Sequence, residues 1–450
     1  MSVALTDIRA CLEGAIPGVM ATCASDGTPN VAYLSQVFYV DERHVALSFQ
    51  FFNKTRQNIL VNPQATLLVL DPVTAAFFRL QIRYLRTESE GALFESMKAQ
   101  LAGIASYAGM AGVFQLRGSD VYEVQAIEPL DGSPLPAPPA RGGHLAAVRR
   151  GSERLARCGT LDELLNTTLA TLSDALDIPH AMVLMMDAAS QRLYTVASAG
   201  YPASGVGSEI ALGQGVIGVA ARERTPVRIG HFTSAALYSH AVRRSVQADT
   251  PSLALATDIP YPGLAEPHSQ LATPILSQGR LLGVLFVESP LDLRFSFEDE
   301  DALVALAGHL GAAVDLLQSA PDTAEAPGET AKAPPRPPGL AAAPLQLRRF
   351  ASNDSVFVND AYLIKGVAGA ILWKLLTDHV QQGRTEFTNR ELRLDPSIRL
   401  PDVSDNLEAR LLLLQRRLAE HGPDLRLERP GRGRLRLQVA RPVVLQTVSG

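Results

Sequence analysis

Residues 319–344 constrain the fold more than any other part of this chain, because they cannot contribute to a packed core. Their sequence, SAPDTAEAPGETAKAPPRPPGLAAAP, consists mostly of Ala, Pro, Glu, Thr and Gly. Such a segment buries too little apolar surface to offset the entropy of ordering, so we expect a flexible, partly extended tether. Residues 131–143 hold four prolines and three glycines and predict a second, shorter linker. The predicted division of the 450 residues is 1–130, linker 131–149, 150–318, linker 319–344, and 345–442.

Composition restricts the class of protein. Apolar residues make up 46% of the chain and charged residues 19%, which is typical of globular domains. Cys11, Cys23 and Cys158 are few and scattered, so they predict neither a disulfide framework nor a C-x-x-C metal site. Charges interrupt the first residues, and no segment approaches the roughly 18 apolar residues that cross a bilayer. We therefore expect a soluble, cytoplasmic protein with no membrane partner.

The net charge of −5 conceals an asymmetry along the chain. From Leu345 to the end there are 17 Lys and Arg residues against 12 Asp and Glu residues, whereas the remainder has 24 against 34. A basic part joined to an acidic remainder suggests that the basic part binds an anion. Scatter of charges over solvated faces remains an alternative at this point.

The first part is predicted to consist of short strands, a helix and a closing strand. Polar turns such as Ser25-Asp26-Gly27 separate apolar runs between residues 16 and 86, as in antiparallel hairpins. Residues 91–106 have the spacing of an amphipathic helix, and residues 121–130 return to a strand pattern.

This order resembles the pyridoxamine-phosphate-oxidase-like FMN-binding split barrels over nearly all of residues 1–130. The most specific part of the resemblance is a polar run after the third strand, made of Asn53, Lys54, Thr55, Arg56 and Gln57. In the family this corner holds the flavin phosphate, so the resemblance implies FMN as a cofactor and these five residues as its site. Backbone N–H groups at a helix start and the hydroxyl and basic side chains are suitable donors.

Two features of this corner limit what the resemblance implies. Gln57 stands where FMN-binding members commonly carry a second basic residue, which removes one cation from the phosphate site. No general base or substrate-recognition cluster accompanies the corner, so no catalytic residue is predicted. A barrel that serves dimerisation or cofactor sensing is an equal alternative to an oxidase. Solvated charges at a helix start are an equal alternative to a phosphate site. Since family members share the flavin between two protomers, a homodimer is also implied.

The middle part begins with a helix and contains a glycine motif. Leucines recur at helical spacing from Leu161 to Leu176, and Thr160 with Glu163 has the pattern of a capping box. Gly213, Gly215 and Gly218 spell G-x-G-x-x-G, but neither a first βαβ unit nor a following acidic residue accompanies them. The spacing therefore argues against a dinucleotide site.

The same glycines lie in a segment that resembles a GAF domain. The matching stretches are 212–218, 220–221, 226–229, 269–275, 283–285 and 295–296. The resemblance implies a central α/β sandwich with a small-molecule ligand, here unidentified, under a lid at residues 231–268. His231, His240 and His268 lie in that segment and are candidate ligands for haem or a metal, or simply exposed histidines.

The C-terminal part is predicted to contain strands around Asn359-Asp360, three helices and a basic hairpin. The third helix carries an apolar stripe of Leu407, Leu411, Leu414 and Leu418, and Thr388 to Glu391 has capping-box spacing. The hairpin is expected to turn at residues 430–433. This order resembles an OmpR-like winged helix over residues 346–438.

The winged-helix resemblance implies DNA as a partner. An α-helix fits the major groove, and arginines on a glycine-rich hairpin suit phosphate contacts. The candidate DNA-binding residues are Asn406, Arg410, Arg416, Arg417, Arg429, Arg432 and Arg434. Asp402, Asp405 and Glu408 at the start of the helix leave open a protein-binding module instead.

Together these features predict a multidomain α+β protein with an N-terminal split β-barrel, a central GAF sandwich and a C-terminal winged helix. The main hypothesis is a one-component transcriptional regulator that senses flavin or another small ligand and binds DNA as a homodimer. Transmission through the tether is expected to act by effective concentration rather than rigidly. The alternative hypothesis is an FMN-dependent oxidoreductase regulated by its downstream domains.

Overall fold

The computed structural model describes most of each predicted part. The described residues are 3–13, 16–34, 36–49, 54–107, 116–136, 143–230, 259–319, 344–398, 400, 407–431 and 433–448. Most of the predicted tether, and most of the predicted lid with His231 and His240, therefore lie outside the described residues. No helix among the described residues is long and apolar enough to span a membrane.

The first part is a curled antiparallel sheet of seven strands in the order β2-β1-β5-β6-β7-β4-β3. Every second residue of β1 is buried, as expected of a strand with one face on a core, and Met20, Leu67 and Leu80 fill that core. The elements are a 3-10 helix Leu5–Leu12, β1 Gly18–Cys23, β2 Pro29–Leu34, β3 Val37–Tyr39, β4 His44–Phe49, α1 Lys54–Val61, β5 Gln64–Leu70, β6 Phe77–Glu88, α2 Ala92–Tyr107 and β7 Gly118–Pro129.

The middle part is a six-stranded antiparallel sheet in the order β10-β9-β8-β13-β12-β11, with helices on both faces. A turn at Gln278-Gly279 joins β12 to β13, and both residues have positive φ. The elements are α3 His144–Leu155, α4 Leu161–Leu176, β8 Ala181–Asp187, β9 Arg192–Ala199, β10 Glu209–Ala211, α5 Gly215–Glu223, β11 Val227–Ile229, β12 Ser269–Ser277, β13 Arg280–Ser289 and α6 Phe297–Ser319.

The start of α4 differs in one bond from the predicted capping box. Thr160 caps the helix, since its hydroxyl accepts a hydrogen bond from the Glu163 N–H at 3.2 Å. The Glu163 carboxylate accepts from the Gly159 N–H at 2.9 Å, whereas a capping box would direct it to Thr160. The partner of the Glu163 carboxylate is thus one residue earlier than in a capping box, and it is still a backbone N–H group that precedes the helix.

The C-terminal part combines two small sheets with three helices. One sheet has the order β16-β15-β14-β20, in which β20 runs parallel to β14, and the other has the order β17-β19-β18. The capping box at Thr388 and Glu391 is present, and Asn359-Asp360 forms a two-residue hairpin turn. The elements are β14 Leu345–Phe350, β15 Ser355–Val358, β16 Ala361–Ile364, α7 Gly366–Gln382, β17 Glu386–Thr388, α8 Asn389–Leu394, α9 Leu407–His421, β18 Leu425–Gly431, β19 Arg434–Val439 and β20 Val443–Val448.

The middle part packs directly against both the first part and the C-terminal part. Helix α2 of the first part lies on α5 and β11 of the middle part, and its Ala99 is fully buried in their apolar cluster. Helix α9 of the C-terminal part lies on α4 and β9, so one apolar cluster runs from the middle part into the C-terminal part. The linkers predicted from the sequence are therefore not the only connections: the first part contacts the middle part, and the middle part contacts the C-terminal part.

Candidate functional site

The predicted phosphate corner lies at the start of α1. Lys54 and Gln57 are exposed there, whereas Thr55 is buried and its hydroxyl accepts a hydrogen bond from the Asn30 amide at 2.9 Å. Asn53 lies outside the described residues. The helix thus begins where the sequence predicts it, with one exposed cation at its first residue.

Arg56, the second cation of the corner, is held by the barrel itself. Its guanidinium forms an ion pair with Asp120, donates to the Thr87 hydroxyl at 2.8 Å and stacks 4.3 Å from the centroid of the Phe49 ring. Burial alone would lower the pKa of Arg56, but the hydrogen bond and charge of Asp120 raise it. Arg56 is therefore charged, and a buried carboxylate compensates that charge.

This pairing decides how well the corner fits a flavin phosphate. A dianionic phosphate at the corner would meet the Lys54 ammonium, the Thr55 hydroxyl and an Arg56 already neutralised by Asp120. The residues present do not fit a dianion while the Arg56–Asp120 pair is intact. The sequence gives no sign of Asp120, because it is 64 residues from Arg56 and comes near only through the pairing of β7 with β4, the strand that precedes α1.

A second candidate site surrounds a buried carboxylate at the end of β13. Glu288 is 1% exposed, and its two oxygens accept hydrogen bonds from the Leu264 N–H at 2.7 Å and the Gln270 amide at 3.0 Å. Burial and the neighbouring Glu288 raise the pKa of Tyr201, whose ring lies 5.6 Å from that of His180. The cluster lies under residues 259–268, at the edge of the predicted lid.

The sequence pattern points to the lid histidines and not to Glu288. His268 is described, and its imidazole lies 3.2 Å from the Asp292 carboxylate on the surface. Among the residues that the structure describes, no group of three or more His, Cys, Asp or Glu side chains could hold a metal. The available signal was a single carboxylate at the end of an apolar strand, LLGVLFVE, because an unbroken apolar run predicts a strand buried on both faces.

The glycine motif has a packing role between β10 and α5. A Cβ atom on Gly218 would lie 2.3 Å from the Ala211 carbonyl oxygen, and the Gly213 N–H donates to the Gly218 carbonyl at 2.7 Å. Gly213 also has a φ of +82°, which favours glycine. These contacts account for two of the three glycines without a dinucleotide.

The candidate DNA-binding arginines of α9 lie on the middle part. Arg410 is buried, forms an ion pair with Asp187 at 2.9 Å and stacks 4.4 Å from the centroid of the Tyr194 ring. Arg416 donates to the Val196 carbonyl at 2.7 Å and to the Asp162 carboxylate at 2.6 Å. Two of the predicted DNA contacts are thus contacts between domains in this structure.

The remaining candidates have separate surroundings. Arg417 donates to the Leu363 carbonyl at 3.1 Å and to Glu420 at 2.8 Å, and Arg429 pairs with Glu408 beside the start of α9. Arg434 is exposed on β19 of the hairpin. Asn406, Arg432, Asp402 and Asp405 lie outside the described residues.

Further contacts between α9 and the middle part were not predicted. Leu413 is 5% exposed, and a Cβ atom on Gly207 would lie 3.7 Å from its side chain. Near the C-terminal end of α9, the Glu420 carboxylate accepts a hydrogen bond from the Ser204 hydroxyl of the middle part. The sequence did carry a signal, because residues 411–414 are four consecutive leucines and so place apolar groups all round one turn of helix.

The cysteines add no site. All three are free, and burial raises the pKa of the Cys11 thiol to about 12. Since the thiolate is the reactive form, burial disfavours reaction at Cys11 at neutral pH.

Two family models match the chain. The model described as pyridoxamine 5'-phosphate oxidase matches residues 5–128, and the model described as GAF domain matches residues 160–314. The N-terminal domain is therefore pyridoxamine-phosphate-oxidase-like and the middle domain is a GAF domain, the combination of a sensory, ligand-binding protein. Neither match reaches the C-terminal domain.

Solved structures that resemble the chain include one similar to each of these domains. An FMN-binding protein from Syntrophomonas wolfei is 17% identical, covers 28% of this chain and 86% of its own, and has a TM-score of 0.25. The GAF domain of an Acinetobacter phosphoenolpyruvate-protein phosphotransferase is 21% identical, with coverages of 41% and 99% and a TM-score of 0.32. A free methionine-R-sulfoxide reductase from Neisseria meningitidis is 19% identical, with coverages of 40% and 94% and a TM-score of 0.30. No curated protein matches the sequence.

Proposed function

We propose that this chain is a one-component sensory transcriptional regulator, in which ligand binding by the barrel and the GAF domain controls DNA binding by the C-terminal domain. The observation that carries the proposal is the packing of α9 on the GAF sheet through Arg410 and Arg416. Helix α9, which carries these basic side chains, is docked on the GAF domain. A change in that domain thus has a direct route to α9.

The order of elements in the C-terminal domain supports a DNA-binding output. Three strands precede α7, then β17, α8, α9 and the hairpin β18–β19 follow, and the hairpin pairs with β17 in one sheet. This is the order expected of a winged helix, with α9 as the helix for the major groove. Arg426 and Arg434 are exposed on the hairpin, where they suit phosphate contacts.

The same helix face cannot lie on the GAF sheet and in a DNA groove at once. When α9 is docked, Arg410 forms its ion pair with Asp187, and Arg416 donates hydrogen bonds to Asp162 and Val196. We therefore interpret the docked arrangement as the DNA-silent state. A ligand that binds the released GAF conformation more tightly would shift the population toward DNA binding.

The barrel contributes dimerisation to this proposal. Val31 and Tyr33 on the edge strand β2 are 65% and 83% exposed, and Leu60 and Val61 on the adjacent α1 are exposed as well. Exposed apolar side chains on an edge strand favour contact with a second copy. Two copies would present two hairpins to DNA, as winged-helix regulators require for paired half-sites.

The experiment compares two charge reversals on the GAF domain, which leave the DNA-binding surface unchanged. Asp187→Lys places a cation against Arg410 and should release α9, whereas Asp174→Lys makes the same charge change on the exposed face of α4. Duplex DNA from the region upstream of the protein's own coding sequence is titrated, with fluorescence anisotropy at two salt concentrations. We expect Asp187→Lys to bind about tenfold more tightly than wild type, and Asp174→Lys to match wild type.

A hairpin variant separates the two halves of the proposal. Arg426→Ala with Arg434→Ala, made in the Asp187→Lys background, should lower DNA affinity and reduce its salt dependence, because each arginine releases counterions. If Asp187→Lys binds no duplex even at low ionic strength, DNA is not the output. If it binds DNA only as well as wild type, α9 docking does not control binding.

A further inference from the structure

We infer that a cavity between the barrel and the GAF domain binds a small organic cation with N–H donors. The cavity has a volume of about 330 Å³, and residues of both domains line it. It is separate from the corner at Arg56 and from the cluster at Glu288, so it goes beyond the proposed function. Its volume falls at the lower end of the range for small-molecule sites.

The walls of the cavity are held by interactions between the two domains. Arg9 of the barrel stacks its guanidinium between Tyr39 and Phe297, at 4.6 and 3.9 Å from the two ring centroids. Arg228 of the GAF domain pairs with Glu13 of the barrel at 2.8 Å and with Glu300 at 2.7 Å. These contacts fix the lining side chains before any ligand binds, which reduces the entropy cost of binding.

Two buried oxygen atoms of lining residues lack a hydrogen-bond donor among the described residues. Glu13 uses Oε2 for Arg228 and leaves Oε1 without a partner. Gln100, which is 8% exposed, donates its amide to the Arg228 carbonyl at 3.0 Å and leaves its Oε1 without a partner. An unsatisfied buried acceptor costs about 1–3 kcal/mol, so a ligand with N–H groups would recover that cost at two atoms.

Charge and shape narrow the class of ligand. The lining carries three carboxylates, from Glu13, Glu300 and Asp301, against the guanidinium groups of Arg9 and Arg228, so one negative charge remains uncompensated. Burial raises the pKa of Glu13, whereas a bound cation would favour its ionised form. The rings of Phe38, Tyr39 and Phe297 also line the cavity and suit a flat group. A planar amidinium group meets all three conditions.

A ligand in this cavity would contact both domains at once. Glu13, Arg9 and Gln100 belong to the barrel, and Arg228 and Glu300 belong to the GAF domain. Binding would therefore stabilise one relative placement of the barrel and the GAF domain. The cavity is a second sensory input, distinct from a ligand in either domain.

The test uses two probes of equal size and opposite charge on the full-length protein. Benzamidine carries a planar amidinium group, and benzoate replaces it with a carboxylate. Isothermal titration calorimetry at millimolar concentrations should detect benzamidine binding and at least tenfold weaker benzoate binding. Equal binding of both probes, or no benzamidine binding, would overturn the inference.

Three variants locate the bound benzamidine. Glu13→Gln should weaken its binding at least tenfold, whereas Glu298→Gln removes a carboxylate of α6 outside the cavity lining and should change it less than twofold. Ser96→Phe fills the cavity from α2 without breaking an ion pair, and it should abolish binding even if Glu13→Gln folds poorly. Unchanged binding in a folded Ser96→Phe protein would place benzamidine elsewhere and refute the site.

Discussion

At the scale of single residues, the pairing of Arg56 with Asp120 sets the response of the barrel corner to a phosphate. Asp120→Asn removes the compensating charge, so the affinity for FMN should rise about tenfold, which corresponds to about 1.4 kcal/mol. The affinity for riboflavin, which lacks the phosphate, should stay unchanged. Quenching of flavin fluorescence on titration with protein measures both affinities.

The matched control for that prediction lies on the same strand. Glu123→Gln removes a carboxylate of β7 that pairs with the exposed Arg43, so FMN affinity should equal that of wild type. An equal gain for riboflavin and FMN in Asp120→Asn would mean that the phosphate does not meet Arg56. Loss of all flavin binding in Arg56→Ala would agree with the corner as the site.

Residue patterns in the sequence predicted local contacts better than distant ones. The start of α1 at Lys54 and the cap at Thr388 follow from neighbouring side chains, and both are present. Asp120 and Glu288 act through strands that meet only in the folded sheet. A spacing rule cannot find such partners, because the register of the sheet and not the chain distance places them.

At the scale of elements, the last strand was not predicted and can be tested by truncation. A chain that ends at Arg441 lacks β20, so β14 becomes an unpaired edge and Leu445 no longer packs on the core. The free energy of unfolding should fall by about 2 kcal/mol or more, because the half-buried Val443 and Leu445 and the backbone hydrogen bonds of β20 are lost together. Trp373, the single tryptophan of the chain, reports urea unfolding of this domain by fluorescence.

The comparison for that truncation is a chain that ends at Val448 and keeps β20. It should unfold at the same urea concentration as the full-length protein. If the chain that ends at Arg441 does so too, the pairing of β20 with β14 contributes nothing to stability. Faster aggregation of the shorter chain would agree with an exposed edge at β14.

In helix α9, the amphipathic pattern predicts one of the two buried faces. The stripe of Leu407, Leu411, Leu414 and Leu418 was predicted to be buried, and it is. Leu412 and Leu413 are buried as well, so the helix uses more than one face. The resemblance to a winged helix directed attention to the arginines, whereas the run of leucines already indicated a second apolar contact.

At the scale of the whole molecule, the sequence predicted three parts, of which the family models match the first two, but not how the parts pack. The linker compositions and domain resemblances depend on local segments and so can be read directly. The contacts between parts depend on pairs such as Arg410 with Asp187 and Arg228 with Glu13, which are far apart in the chain. Each charge looks like an ordinary solvated residue until the partner domain is in place.

The shared core of the GAF and C-terminal domains predicts that they unfold together. Wild-type protein should show one thermal transition for both, with Trp373 fluorescence and scanning calorimetry coinciding. Asp187→Lys leaves the buried Arg410 without its partner, a loss worth about 3 kcal/mol for a buried pair. The Trp373 transition should then fall by about 5 °C or more and separate from that of the GAF domain, while Asp174→Lys leaves it in place. A separate Trp373 transition in wild type, unmoved by Asp187→Lys, would mean that α9 is not docked in solution.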